Sequence, residues 1–327
     1  MFIRPPVIAL TILSLIALCA PRCSAWNSTG HEIVAQIACD QLSPEAKSAI
    51  FAALKNHPRL NEDLLNDPNR AKDDDLAMFL RAATWPDMVR SQLNPLSHTE
   101  NHPRWHYMDF PYEIDGVQGP VPELQWDGHS DPANLPQAME KALAELKDPQ
   151  TPKDRKAIDL CWVEHLVGDI HQPLHATSLF SKEFPQGDQG GNLVFIKNAE
   201  NASLPLHAYM ALHTYWDNVE GEAMDYDAIR KSADRIEAAH PASQLKDRVS
   251  DLSVADWAKE SFELAKSVVY VNATLPHVTK TEALANPRSV PELPAGYQKQ
   301  ALATADERMA LAGYRLAAVL EQVAKGL

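Results

Sequence analysis

The run Cys161-Trp162-Val163-Glu164-His165-Leu166-Val167-Gly168-Asp169-Ile170-His171 sets ionisable side chains inside a stretch that is otherwise apolar at helical spacing. A helix of this kind has no solvated face to carry them. A buried imidazole or carboxylate needs a partner, so the fold must deliver one to His165 and Asp169. These two lie four apart on one face, with Cβ atoms about 5 to 6 Å from each other, close enough to hold one metal ion or two neighbouring ones. His213 and Asp217 repeat the spacing in Leu212-His213-Thr214-Tyr215-Trp216-Asp217. A helix-face hydrogen bond would explain one such pair. Two pairs in apolar surroundings point to a divalent cation, and zinc satisfies imidazole and carboxylate together.

Helical patterns fill most of the chain. Ser28 or Thr29 can cap a helix to about Leu42, and Ser43-Pro44-Glu45 opens another to about Lys55. Three-to-four spacing marks further helices near 74–84, 134–147, 153–171, 205–219, 225–239, 253–270 and 298–325. Strand signals are few, the best being Asn192 to Ile196 after Gly190-Gly191, while 111–132 and 274–296 read as loops. The expectation is one all-α domain with one short β-hairpin or strand region. Phosphate-binding glycine loops, Gly-x-Ser-x-Gly elbows and His-Glu-x-x-His pairs are absent from the sequence.

The first 25 residues read as a secretory signal peptide: Arg4 precedes an apolar or small run from Val7 to Ala20, and Cys23-Ser24-Ala25 offers a cleavage site. An uncleaved anchor is the alternative. Cleavage would place the domain at 26–327, make Trp26 its first residue and send it to the periplasm or outside the cell. The remaining chain has 28 basic against 44 acidic residues, a formal −16, which repels a phosphate backbone. A nucleic-acid substrate would need local positive charge. Only Cys39 and Cys161 stay with the domain, as a disulfide or as two buried thiols.

Upstream lie more candidates of the same chemistry: His31, five residues after Trp26; Asp87 in Trp85-Pro86-Asp87-Met88-Val89-Arg90; and His106 in Trp105-His106-Tyr107-Met108-Asp109. With His175 the set is Trp26, His31, Asp87, His106, His165, Asp169, His175, His213 and Asp217. In this order, and with Gly190-Gly191-Asn192, the sequence resembles the S1/P1 nuclease family, secreted trinuclear-zinc enzymes sharing a fold with bacterial zinc phospholipases C. The resemblance runs from Trp26 through at least Asp217. It implies a first zinc on Asp87, His106, His165 and Asp169, and a second on His175, His213 and Asp217. A third would sit on His31, Asp169 and the free amine and carbonyl of Trp26, with Asp169 bridging two ions. The stretch Phe180 to Gln189 is longer than in the fungal members, a departure that bears on the shape of the cleft.

Three zinc ions and three aspartates would leave about +3 in an acidic protein, the local attraction a phosphodiester requires. Zinc lowers the pKa of bound water to about 7, so a metal-bridging hydroxide could attack, leaving 5′-phosphates, with Asp169 and Arg90 as the catalytic side chains. Tyr107 can stack on any base and Asp109 can accept from base N–H groups, which favours single strands. The resemblance adds Gly190, Gly191 and Asn192 to that pocket. The expected activity is hydrolysis of single-stranded DNA and RNA and of 3′-nucleotides by a monomer with no stable membrane association after cleavage. A zinc phospholipase C is the alternative. His171 would point about 200° away from Asp169 and His207 is off the face of His213; both read as structural. His57, His98, His102, His129, His240 and His277 read as solvent-exposed.

Overall fold

Helix α7, Lys153–His171, is buried from Lys156 to His171 on every face, and the other elements are arranged as its sheath. The computed structural model describes residues 26–197, 209–223 and 225–327. The segment 1–25 and His207 lie outside the described residues. Helices α1 (Ser28–Gln41) and α2 (Pro44–Leu54) start where the sequence puts their caps, although the first cap is Asn27, whose side chain accepts from Gly30 N. Ser43 caps α2 with Pro44 at the first helical position. There follow α3 (Asp74–Ala82), the single turns α4 (Trp85–Met88) and α5 (Ser97–Glu100), and α6 (Leu135–Lys147), which packs on α7.

Beyond α7 come α8 (Leu212–Asp217), α9 (Tyr226–Ala239), α10 (Ala242–Val249), α11 (Val254–Leu264) and α12 (Lys280–Ala285). The 27-residue α13 (Tyr297–Val323) crosses α1 and α7. Trp26, Trp85, Trp162, Trp216 and Trp257 are fully buried, so the aromatic volume sits inside. None of the described helices is long and apolar enough to cross a membrane.

The fold is mostly helical, as read from the sequence, but its strand content is larger than one region. β1 (Phe110–Glu113) and β2 (Thr177–Phe180) pair in parallel, Phe110 opposite Thr177. β3 (Val194–Ile196) is flanked by β4 (Met210–Ala211) and β5 (Val278–Thr279) in an antiparallel sheet of order β4-β3-β5. The stretches 111–132 and 274–296 are therefore not wholly loop. The pairing that makes β1 joins segments far apart in the chain, and Pro111 there argues locally against a strand. Of the helix expected over 205–219, the described residues 209–219 form the short α8 with β4 ahead of it, and 205–208 lie outside the described residues. Cys39 and Cys161 are buried free thiols.

His57 overturns its expected exposure. It is buried, edge-on to Trp85 at 4.8 Å, and its Nδ1 accepts from Arg59 N at 3.2 Å. His102 stacks on Trp105 at 3.7 Å, while His240 and His277 are half-buried, leaving His98 and His129 exposed. Burial pushes the His57 imidazole down to about 4, from 6.5. Between these values the unfolded chain takes up a proton that the folded chain refuses, so stability is full above about 6.5 and declines as pH falls toward 4. Urea unfolding at a series of pH values should therefore give a shallower acid decline for His57→Phe than for the unmodified protein. Parallel curves would show that His57 does not contribute to acid sensitivity.

Candidate metal centre

Five structural pieces converge on α7. His165 and Asp169 come from α7 itself, and His31 comes from the start of α1. Asp87 sits in α4, and His106 ends the 3-10 turn Pro103–His106. His175 lies in a second 3-10 turn, Pro173–Ala176, directly after α7, and faces His213 and Asp217 of α8. The side chains fall into three close groups: His31, His165 and Asp169; Asp87, His106 and His165; and His175, His213 and Asp217. Every imidazole and carboxylate expected as a metal ligand from the sequence belongs to one of them.

The distances have the scale of a coordination polyhedron. His106 Nδ1 lies 2.9 Å from His165 Nε2 and 3.2 Å from Asp169 Oδ2, and His165 Nε2 lies 3.2 Å from that oxygen. His31 Nε2 is 3.3 Å from Asp169 Oδ1, and His213 Nε2 is 3.5 Å from Asp217 Oδ2. Ligand bonds of about 2.0 to 2.1 Å in a tetrahedron make edges of roughly 3.3 Å. Asp87 stands further off, 3.9 Å from His106 Nδ1, and receives Arg90 Nη1 at 3.2 Å.

Proton positions decide what these contacts are. His175 Nδ1 donates to the His106 carbonyl at 2.6 Å, and His213 Nδ1 donates to the Gly190 carbonyl at 2.6 Å. A carbonyl only accepts, so each ring carries its proton on Nδ1 and its lone pair on Nε2. Those two Nε2 atoms face each other at 3.1 Å. Facing lone pairs repel, and a shared cation turns the contact into an attraction. His165 is held in the same sense, Nδ1 to the Ala83 carbonyl at 2.8 Å. Both ring nitrogens of His31, His106 Nε2 and Asp169 Oδ1 are buried without a hydrogen bond. Buried polar atoms left in this state are rare, and the donor set of imidazole and carboxylate fits a divalent ion.

Electrostatics agrees with the geometry. Burial opposes the charge on Asp169, yet the imidazoles of His165, His106 and His31 hold its carboxyl well below the usual carboxylate range. Burial pushes His175 down to about 3, and burial with the neighbouring His165 lowers His31. Burial opposes charge on His165 too, but Asp169 and Asp87 outweigh it and raise that imidazole, so the protein meets the Asp169 charge with a proton on His165, a place that a divalent ion would take over.

Two of the groups, through His106 and through His175 and His213, open onto a cleft of about 420 Å³ whose wall also includes Arg90, Tyr107, Asp109, Gly190 and Asn192. The expected substrate residues thus lie beside the ligand groups, except that Gly191 is set back from the wall. Its place is in a turn: Gln189, Gly190 and Gly191 all have positive φ, of 58°, 61° and 81°. A Cβ on Gly190 would also come within 2.7 Å of the Leu174 carbonyl oxygen, so glycine is required there twice over. Tyr107 is 37% exposed. Burial, with Asp188 adding to it, pushes Asp109 up to about 6.

Sequence reading missed the parts that hold the ligands: the carbonyls of Ala83, His106 and Gly190, the buried Gln172, and Asp188, which receives Tyr270 Oη at 2.6 Å. Gln172 was visible in His171-Gln172-Pro173, a polar side chain between ligands with no solvated face to occupy. His171 does point away, donating from Nδ1 to Val167 O at 2.7 Å and accepting at Nε2 from Arg315 Nη1 at 2.9 Å.

A mostly helical domain with three neighbouring imidazole–carboxylate groups beside an open cleft is an arrangement that could hold metal ions at a substrate site. The chain belongs to the S1/P1 nuclease family, whose model matches residues 26–325. It is 25% identical to Endonuclease 4 of Arabidopsis thaliana over 97% of this chain and 93% of that one. It is 29% identical to Endonuclease 5 of the same plant over 50% of each chain. The protein is a nuclease, a hydrolase acting on phosphodiester bonds.

Gly168 lets α1 lie on α7, since a Cβ there would stand 2.7 Å from His31 Nδ1. Gly168→Ala should cost about 1 to 3 kcal/mol in urea unfolding, with helix content by circular dichroism unchanged. An unaltered midpoint would mean that His31 is free to give way.

Proposed function

We propose that this nuclease is a secreted, zinc-dependent endonuclease and 3′-nucleotidase that hydrolyses single-stranded DNA and RNA to 5′-phosphate products. The observation that carries the metal reading is the pair of Nε2 lone pairs of His175 and His213 facing at 3.1 Å, with both Nδ1 protons committed to carbonyls. By resemblance to the family, Asp87, His106, His165 and Asp169 would hold one zinc, and His175, His213 and Asp217 a second. His31, Asp169 and the amine and carbonyl of Trp26 would hold a third once residues 1–25 are removed. Zinc in such sites lowers the pKa of water to about 7 and polarises a phosphodiester.

The chain's own side chains supply the rest. Asp169 offers its two oxygens to different sides, Oδ1 toward His31 and Oδ2 toward His106 and His165, as a bridging carboxylate must. Arg90, tethered to Asp87 on the cleft wall, can donate to a non-bridging phosphate oxygen and keep that oxygen oriented. Tyr107 presents a ring next to His106 on which a base can stack, a contact of about 1 to 3 kcal/mol available only to a base outside a duplex. Asp109, with its carboxyl pushed up to about 6, can accept from a base N–H above that pH.

Hydrolysis of single-stranded DNA and RNA should stop on chelation and return with zinc, with duplex DNA and phosphatidylcholine cleaved far more slowly. Cleavage of phosphatidylcholine in preference to nucleic acid would overturn the nuclease substrate in favour of a phospholipase C. His165→Ala should abolish turnover and lower the zinc count by elemental analysis; near-normal turnover would contradict its assignment as a ligand. One extra residue before Trp26 should cut zinc content and activity together, because acylation removes the amine lone pair. Full activity of the extended protein would remove the amino end from the ligand set.

A further inference from the structure

Gln172 is the first residue past α7, and four hydrogen bonds tie it to residues of the ligand groups or to the turn that carries one of them. Its backbone N–H donates to the Asp169 carbonyl at 3.0 Å, and its carbonyl accepts from His175 N at 3.0 Å. Its side-chain Nε2 donates to Asp217 Oδ1 at 2.7 Å, and its Oε1 accepts from Leu174 N at 2.6 Å. The side chain has no exposure to solvent. The orientation of the amide is forced. Reversing it would set Oε1 against a carboxylate oxygen and Nε2 against a backbone N–H, two repulsive contacts where there are now two attractive ones.

We infer that Gln172 is a positioning residue that locks the His175–His213–Asp217 group into its ligating geometry and fixes its spacing from Asp169. This rests on the metal reading proposed above. By occupying Asp217 Oδ1, the amide leaves Oδ2 turned toward His213 Nε2, so the carboxylate presents one oxygen to an ion in a defined direction. By capping the turn through Leu174 N, the same side chain holds His175 opposite His213. The link extends further: the Asp217 carbonyl accepts from Asn27 N at 2.9 Å, the residue after Trp26, so the amino end is tied to the same group.

The chemical type of the residue matters. A neutral amide donates to Asp217 without cancelling its charge, whereas a lysine or arginine here would compete with the cation. A glutamate would place one carboxylate against another, and an asparagine is one methylene too short to reach both partners. Such residues behind the ligands typically change metal affinity by about 10- to 100-fold.

The test uses the mature protein loaded with zinc and titrated with a chelator, the ions remaining per chain being counted by elemental analysis. Gln172→Glu and Gln172→Asn should each release one ion at chelator concentrations about 10- to 100-fold lower than the unmodified protein, with the other ions retained and circular dichroism unchanged. Gln172→Asn guards against a folding failure of the charged variant. Equal chelator resistance, or parallel loss of all ions, would overturn the inference, the second because a general structural role weakens every site alike. His213→Ala separates the two readings. If it loses an ion and the Gln172 variants do not, only the role of Gln172 fails; if it too keeps the full count, this group is not a metal site at all.

Discussion

The structure depends on keeping one carboxylate, Asp169, ionised in the middle of a helix buried on every face. An isolated charge moved out of water costs several kcal/mol even after relaxation, and among the described residues no lysine or arginine pairs with Asp169 to offset it. Imidazoles do so instead, brought by α1, by the turn ending at His106 and by α7 itself. An imidazole can serve as donor, acceptor or ligand depending on where its proton sits, so the same three imidazoles that stabilise the charge in folding are a ready-made donor set for a cation. The core of this protein is therefore also its site. Mutations that loosen the packing of α7 act on both at once.

What turns a cluster of polar side chains into ligands is the backbone around them. Ala83, His106 and Gly190 each spend a carbonyl on an Nδ1 proton, and each carbonyl belongs to a different segment. The Gly190 carbonyl reaches His213 because three consecutive residues adopt left-handed backbone geometry, a turn braced by Asp188. That carboxylate is wholly buried, yet Leu179 N at 2.8 Å and Tyr270 Oη at 2.6 Å donate to it. The stretch between Phe180 and Gln189 thus ends in a clamp and not in a free loop. Its far end also adds negative charge beside Asp109, which is one reason that carboxyl holds its proton to higher pH than usual.

Much of this was legible in the letters. His165–Asp169 and His213–Asp217 could be read because a helix forces residues four apart onto one face, and Ser43-Pro44 could be read because capping chemistry is local. The three ligand groups were legible only as far as resemblance ordered them. β1 was not, since a parallel pair is decided by its partner and Pro111 argues the other way. His57 was misjudged for a related reason: its polar, proline-flanked context says exposed, but Trp85 covers it from another element. Gln172 escaped because an amide carries no charge or periodic signal, and its value lies entirely in the two partners the fold brings to it.

The charge balance links the site to its substrate. A formal −16 spread over the surface of 26–327 acts at long range, but salt at about 0.1 M screens it beyond roughly 10 Å, so a strand arriving at the cleft feels mainly what lies within it. There the anionic ligands are sunk below the wall, Asp169 wholly buried, while Arg90 and the ring of Tyr107 stand forward. A duplex, with paired bases and a stiff double line of phosphates, meets the acidic surround with nothing to stack. On the proposed function, a single strand would bend one phosphate toward Arg90 and turn one base onto Tyr107. On the reading proposed above, a preference for single strands would come from Arg90 and the Tyr107 ring being placed together on the cleft wall of an acidic protein.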